Sequence, residues 1–298
     1  MIEARWAAGR FVCVGLDSEY EKIPRAARRD GVVETIVLFN RAIVEATARY
    51  ACAFKPNIAL YAAYGDYGLV ALQRTIRDIN IIAPGVPVVL DAKDGDIGNT
   101  NVGYVREAFE FLNADAVTVH PYLGAESLTP FLNRADKGIF VLCRTSNPGA
   151  GEFQDLQVRV GMEETDFFLD AGATEWSMGI GGWHVPLYLH VAYQVSKYWN
   201  KNGNCGLVTG ATYPHELKNV RKIVGDIPLL IPGIGAQGGD VEATVKAGMD
   251  SRGLGMIINS SRGIIFASQE DDFAEAAAAE AKKTSNLIDQ YRKEAVSQ

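Results

Sequence analysis

The chain has 298 residues, 48% of them hydrophobic and 22% charged. That is enough apolar material for a full core, and it excludes global disorder. With 29 Lys and Arg against 36 Asp and Glu, the net charge is −7. The broad basic footprint of a nucleic-acid or anionic-membrane binder is therefore excluded, and an anionic ligand must be held by a few local cations and backbone amides.

No apolar stretch approaches the ~18 uninterrupted residues of a membrane span. The first ten residues include Glu3 and lack the apolar run of a secretory signal. Cys13, Cys52, Cys143 and Cys205 are widely spaced and lie in or beside apolar segments, which reads as buried free thiols rather than a metal site. A soluble, cytoplasmic protein of a reducing compartment is expected.

Eight short apolar runs follow one another along the chain, at 11–16, 53–55, 88–90, 116–119, 139–142, 206–209, 229–231 and 254–258. Near-continuous Val, Ile and Leu runs of this length suit a parallel sheet covered on both faces. Helical periodicity fills the gaps. Val33, Ile36, Val37, Ile43 and Val44 lie between the first two runs, and Leu69, Leu72, Ile76 and Ile79 between the next two. Segments 101–112, 214–224 and 240–247 continue the alternation, and an Ala-, Glu- and Lys-rich helix is predicted over 271–294. Eight strands alternating with helices predict an α/β fold, a single (β/α)8 barrel spanning 1–298. One gap, between the fifth and sixth runs, is about twice the usual length. Segment 185–199 supplies the expected helix there, leaving 151–183 as an insertion. The insertion reads first as a packed surface excursion, with a lid or a partner contact as the functional alternative.

Chemistry in a barrel sits at the C-terminal ends of its strands. Those ends carry Asp17, then Lys55 in Phe54-Lys55-Pro56-Asn57, then Asp91-Ala92-Lys93-Asp94-Gly95-Asp96. His120-Pro121-Tyr122 and Arg144-Thr145-Ser146-Asn147 follow. Each charge alone is best read as a solvated ion pair, but their convergence on one mouth marks a site. Strand alternation places Asp91 and Lys93 on one side, and a turn at Gly95 brings Asp96 back towards them. Lys93 between carboxylates stays protonated and suits proton delivery to a carbanion.

After the seventh run stands Pro232-Gly233-Ile234-Gly235-Ala236-Gln237-Gly238-Gly239, and after the eighth Ser261-Arg262-Gly263. Glycine-rich backbone and an arginine in these two loops predict a phosphorylated substrate. Gly233, Gly235 and Gly238 also match a dinucleotide fingerprint. That reading is rejected, because the match falls late in the chain and the following strand lacks the acidic residue for a ribose. The histidines show no zinc spacing, and no nucleophile elbow is present. His120 is retained as a supporting residue.

Taken together, these segments resemble the orotidine 5′-phosphate decarboxylases, in particular the longer type 2 branch. The resemblance runs from Val14 to Gly263. It rests on Gly15-Leu16-Asp17, the Lys55 and Asp91-Lys93-Asp96 segments, Ser146-Asn147-Pro148-Gly149, and the Gln237 and Arg262 loops. It implies decarboxylation of orotidine 5′-phosphate to UMP without metal or organic cofactor. Lys93 would protonate pyrimidine carbon 6, Asp91 would face the departing carboxylate, and Lys55 and Asp96 would complete the charged array. Asp17 and Thr100 would bind the ribose, Ser146 the pyrimidine, and Gln237 and Arg262 the phosphate. The resemblance further implies a homodimer in which Asp96 and Thr100 cross the interface. Asp94 departs from the type 2 pattern, where a basic residue is common. A related sugar-phosphate decarboxylase or aldolase, and a nucleotide-binding barrel without turnover, are the competing readings.

Overall fold

The computed structural model describes residues 1–172, 177–180, 182–234 and 240–297. The eight apolar runs form eight strands, Val12–Leu16, Ala51–Pro56, Val89–Asp94, Ala116–Val119, Gly138–Arg144, Cys205–Thr209, Leu229–Pro232 and Met256–Ser260. Hydrogen bonding orders them second, first, eighth, seventh, sixth, fifth, fourth, third, each pair parallel. Isolated parallel bridges from Phe54 to Val88 and from Asn57 to Asp91 join the second strand to the third and close the ring. The fold is the expected (β/α)8 barrel.

Every residue of the first two strands is buried, because barrel side chains on one face and helices on the other leave no wet surface. Helix Val32–Thr47 buries Ile36, Phe39, Asn40, Ile43, Val44 and Thr47, a stripe at three- and four-residue spacing. The last helix, Phe273–Val296, packs near it, with the Phe39 ring between those of Phe266 and Phe273 at centroid distances of 5.8 and 5.5 Å. All four cysteines are free and buried.

The N-terminal end of the barrel is sealed by polar side chains that satisfy stranded carbonyls. Trp6 Nε1 donates to the Met256 carbonyl at 2.7 Å. The Arg221 guanidinium donates to the carbonyls of Gly225, Ile227, Gly248 and Gly255. The carbonyls of the buried residues Gly248 and Met256 would otherwise lack partners, at about 1–3 kcal/mol each. The opposite end therefore carries the opening.

The long connection after the fifth strand builds a sheet of its own. Strands Gln157–Arg159 and Ser177–Gly179 both pair antiparallel with Gly182–Pro186, and helix Met162–Asp170 lies between the first two. Val185 belongs to this sheet, opposite Val158, so the helix expected from 185 begins instead at Leu187 and ends in a wide turn over Val195–Trp199. Among the described residues, no helix is long and apolar enough to cross a membrane.

Candidate active site

A cavity of about 500 Å³ opens at the C-terminal mouth of the barrel. Asp17, Lys55, Asp91, Lys93, Ser146 and Arg262 all line it, brought from five different strand ends. Five of the loops are short continuations of parallel strands, which is why residues distant in sequence converge there.

At its centre, Asp91 accepts from two ammonium groups. Lys55 Nζ reaches its Oδ2 at 3.0 Å and Lys93 Nζ its Oδ1 at 2.5 Å. Burial alone would raise the Asp91 carboxyl, but Lys55 and then Lys93 hold it down to about 2. Burial would likewise lower the Lys55 ammonium, yet Asp91 and Asp17 outweigh it and keep the lysine above its ordinary value. Both groups are therefore charged throughout the neutral range. Lys93 differs in position, since its side chain is half-exposed towards the cavity while that of Lys55 is buried.

Asp17 Oδ1 is buried with no hydrogen-bond partner among the described residues, an acceptor directed at whatever fills the cavity. The turn carrying Asp17 is braced from behind. Tyr61 donates to the Leu16 carbonyl, and Asn40 joins Ser18, Tyr61 and Thr75 in one buried network. Gly15 is required by close approach, since a Cβ there would lie 1.9 Å from Ser261 Oγ. Gly210 is pressed against Ser146 in the same way.

Arg262 stands exposed at the cavity wall, and its guanidinium makes no hydrogen bond or ion pair to a described residue. Gly233, with φ +104°, turns the chain after the seventh strand into the same wall. Gln237 lies outside the described residues.

Asp96 and Thr100 do not join the cavity of their own chain. The turn at Gly95 leads outward, where Asn101 clasps both the amide and the carbonyl of Asp96. Thr100 is exposed on the first turn of helix Gly98–Arg106. Within one chain, the expectation that Asp96 folds back onto Lys93 is not met. His120 packs beneath this turn, within 2.5 Å of where a Gly95 Cβ would sit, so Gly95 makes room for the imidazole.

Four polar lining residues were given no role in the reading from sequence: Asn57, Thr118, Gln154 and Asn259. Thr118 and Asn259 are polar interruptions inside apolar strands, a signal present in the sequence. Gln154 comes from the insertion and gave none. It bonds both the amide and the hydroxyl of Thr145. Next to it, Asp155 pairs with Arg144, whose guanidinium also lies 5.2 Å over the Tyr213 ring. The base of the insertion is thereby fastened to the loop bearing Ser146.

Asp94 is half-buried beside this site, and burial, aided by the nearby Glu107 charge, pushes its carboxyl up to about 7. A raised carboxyl favours the folded state fully below the unfolded value near 4, and that contribution is lost as pH rises to about 7. Full linkage would be about 4 kcal/mol, which partial solvent access cuts to about 1–2 kcal/mol. Asp94→Asn is expected to raise the melting temperature at pH 8 and to leave it unchanged at pH 4.5. Equal shifts at both values, in thermal melts, would show that Asp94 is not the titrating group.

A model of the orotidine 5′-phosphate decarboxylase / HUMPS family matches residues 10–279. The chain belongs to this family. An orotidine 5′-phosphate decarboxylase of Bordetella petrii is 48% identical over 98% of this chain and 98% of its own. The solved OMP decarboxylase of Leishmania donovani is 36% identical with a TM-score of 0.77, covering 98% of this chain and 96% of that one. The UMP synthase structure from the same organism is 38% identical with a TM-score of 0.79 over 98% of this chain. The chain spans only 55% of it. The Bordetella relative and the Leishmania structure both bear decarboxylase names within that family.

Proposed function

We infer that this barrel removes carbon dioxide from orotidine 5′-phosphate to give UMP, the closing step of pyrimidine nucleotide synthesis. The observation that carries the reading is the Lys55–Asp91–Lys93 array at the barrel mouth, in one cavity with Arg262. Breaking the bond between pyrimidine carbon 6 and the carboxylate leaves the electron pair on that carbon and frees carbon dioxide. Lys93 Nζ then transfers a proton to carbon 6 and regains one from water. The same ammonium stabilises the developing carbanion before it quenches it, which is the largest contribution a preplaced charge can make in a poorly solvated site. Asp91, kept ionised by its two lysines, lies beside the leaving carboxylate and anchors Lys93. Lys55 neutralises Asp91 from the buried side.

Asp17, with its unpartnered oxygen, takes the ribose hydroxyls. Ser146 takes the pyrimidine edge, and Arg262 together with Gln237 takes the phosphate. Phosphate binding lies away from carbon 6, and its energy contributes by drawing the site closed. The position of half-buried Asp96 and exposed Thr100 outside their own cavity supports a homodimer in which they complete the partner subunit's site. The enzyme works without metal and resides in the cytoplasm.

The test is turnover of orotidine 5′-phosphate followed by ultraviolet absorbance in excess EDTA. Activity that persists in EDTA is expected. Activity that appears only with added magnesium would favour the sugar-phosphate branch, whose enediolate chemistry needs a metal. None under either condition would leave a binding protein.

A further inference from the structure

The backbone that carries the two central charges is irregular in a way the strand itself does not explain. In the pairing of the third and fourth strands, Leu90 lies opposite Val117 and Asp94 opposite Val119. Asp91, Ala92 and Lys93 therefore all stand against a single residue, Thr118. Lys93 adopts φ +59°, the left-handed region that a residue with a side chain enters only when its surroundings hold it there. A bulge of this kind takes backbone groups out of the ladder and leaves them needing other partners.

Thr118 meets that need with one atom. Its Oγ1 accepts from the Lys93 amide at 3.0 Å and donates to Asp91 Oδ1 at 3.0 Å. The hydroxyl hydrogen has a single place to go, and the lone pair facing Lys93 takes the orphaned amide. The carboxylate oxygen that it reaches is the one that also receives Lys93 Nζ. The side chain is almost wholly buried, at 1% exposure, so water does not compete for these bonds.

We propose that Thr118 is a positioning residue for the decarboxylation, its hydroxyl locking the bulge so that the Lys93 ammonium and the Asp91 carboxylate face the cavity together. The proposal rests on the functional reading above. Thr118 acts through the other two residues rather than on the reacting carbon. Without the hydroxyl, the Lys93 amide has no partner and the left-handed turn loses its restraint. The ammonium then wanders relative to the carbanion, and misplacement by about 1 Å costs on the order of 100-fold in rate.

The experiment compares Thr118→Val, which keeps shape and β-branching, with Thr118→Ser, which restores the hydroxyl. For the valine variant, kcat is expected to fall about 10- to 100-fold, with KM and UMP affinity within about threefold of the parent. The serine variant is expected to recover kcat to within about threefold. An unchanged kcat in the valine variant overturns the proposal. So does a parallel loss of UMP affinity, or a fall that serine does not repair. A crystal structure of Thr118→Val gives a readout independent of substrate: Lys93 is expected to leave the left-handed region. If its backbone is unmoved, the assignment fails whatever the substrate proves to be. An inactive parent, by contrast, would overturn the functional reading and leave this structural test standing.

Discussion

Lys93→Ala is expected to lower kcat by at least about 10⁴-fold while leaving UMP affinity within about tenfold of the parent. Two losses combine. Removing a positioned general acid typically costs 10²–10⁴, and removing a charge aimed at a developing anion costs about 10²–10³. Binding survives because Arg262 and Asp17, which line the same cavity from other strand ends, keep their contacts with the nucleotide. The fold survives as well. Alanine in the left-handed region at this position is strained about as much as lysine is, and the Thr118 hydroxyl still holds the amide. Asp91 keeps Lys55 at 3.0 Å, so no buried carboxylate is left unpaired. Single-turnover kinetics and calorimetric titration with UMP check the two halves separately. Residual kcat within tenfold of the parent would take proton delivery away from Lys93. A loss of UMP binding as large as the loss of kcat would make it a binding group instead.

The barrel was legible because its determinants are local and repeated. Each strand is a short Val-, Ile- or Leu-rich run, each helix has its own apolar stripe, and the fourth strand begins and ends where its run of apolar residues does. The later parts of the third and eighth strands were harder to read. Asp91 to Asp94, and Asn259 with Ser260, lie within strands although polar by composition, because the ends of barrel strands are where a site interrupts hydrophobicity. Asp91 and Lys93 do meet, but strand alternation is not the cause. A bulge and a left-handed residue bring them together, and neither leaves a periodic trace. The Arg144–Asp155 pair and the small antiparallel sheet of the insertion were also illegible. Their strands have three to five residues and exposed positions, so the pairing that defines them comes from chain segments with little pattern of their own. Gly15 and Gly210 show the converse: the letters were plain, but the side chains that demand them, Ser261 and Ser146, come from other loops.

Arg262→Ala is expected to reduce kcat/KM for orotidine 5′-phosphate by about 10²–10³, most of it in KM. A guanidinium makes two charge-assisted bonds to a phosphate, together worth about 3–4 kcal/mol where water is partly excluded. The residue is suited to that task because it is exposed on the cavity wall and its guanidinium, among the described residues, makes no hydrogen bond or ion pair. For the same reason its removal leaves the melting temperature essentially unchanged. Assignment to the phosphate, rather than to the mouth in general, comes from crossing the substitution with a truncated substrate. Parent and variant should decarboxylate orotidine, which lacks the phosphate, at the same slow rate, so that the two deletions are far from additive. If Arg262→Ala instead slows orotidine and its phosphate by equal factors, the guanidinium acts on the ribose or the ring. The phosphate would then have to be held by the backbone of the glycine-rich loop after the seventh strand.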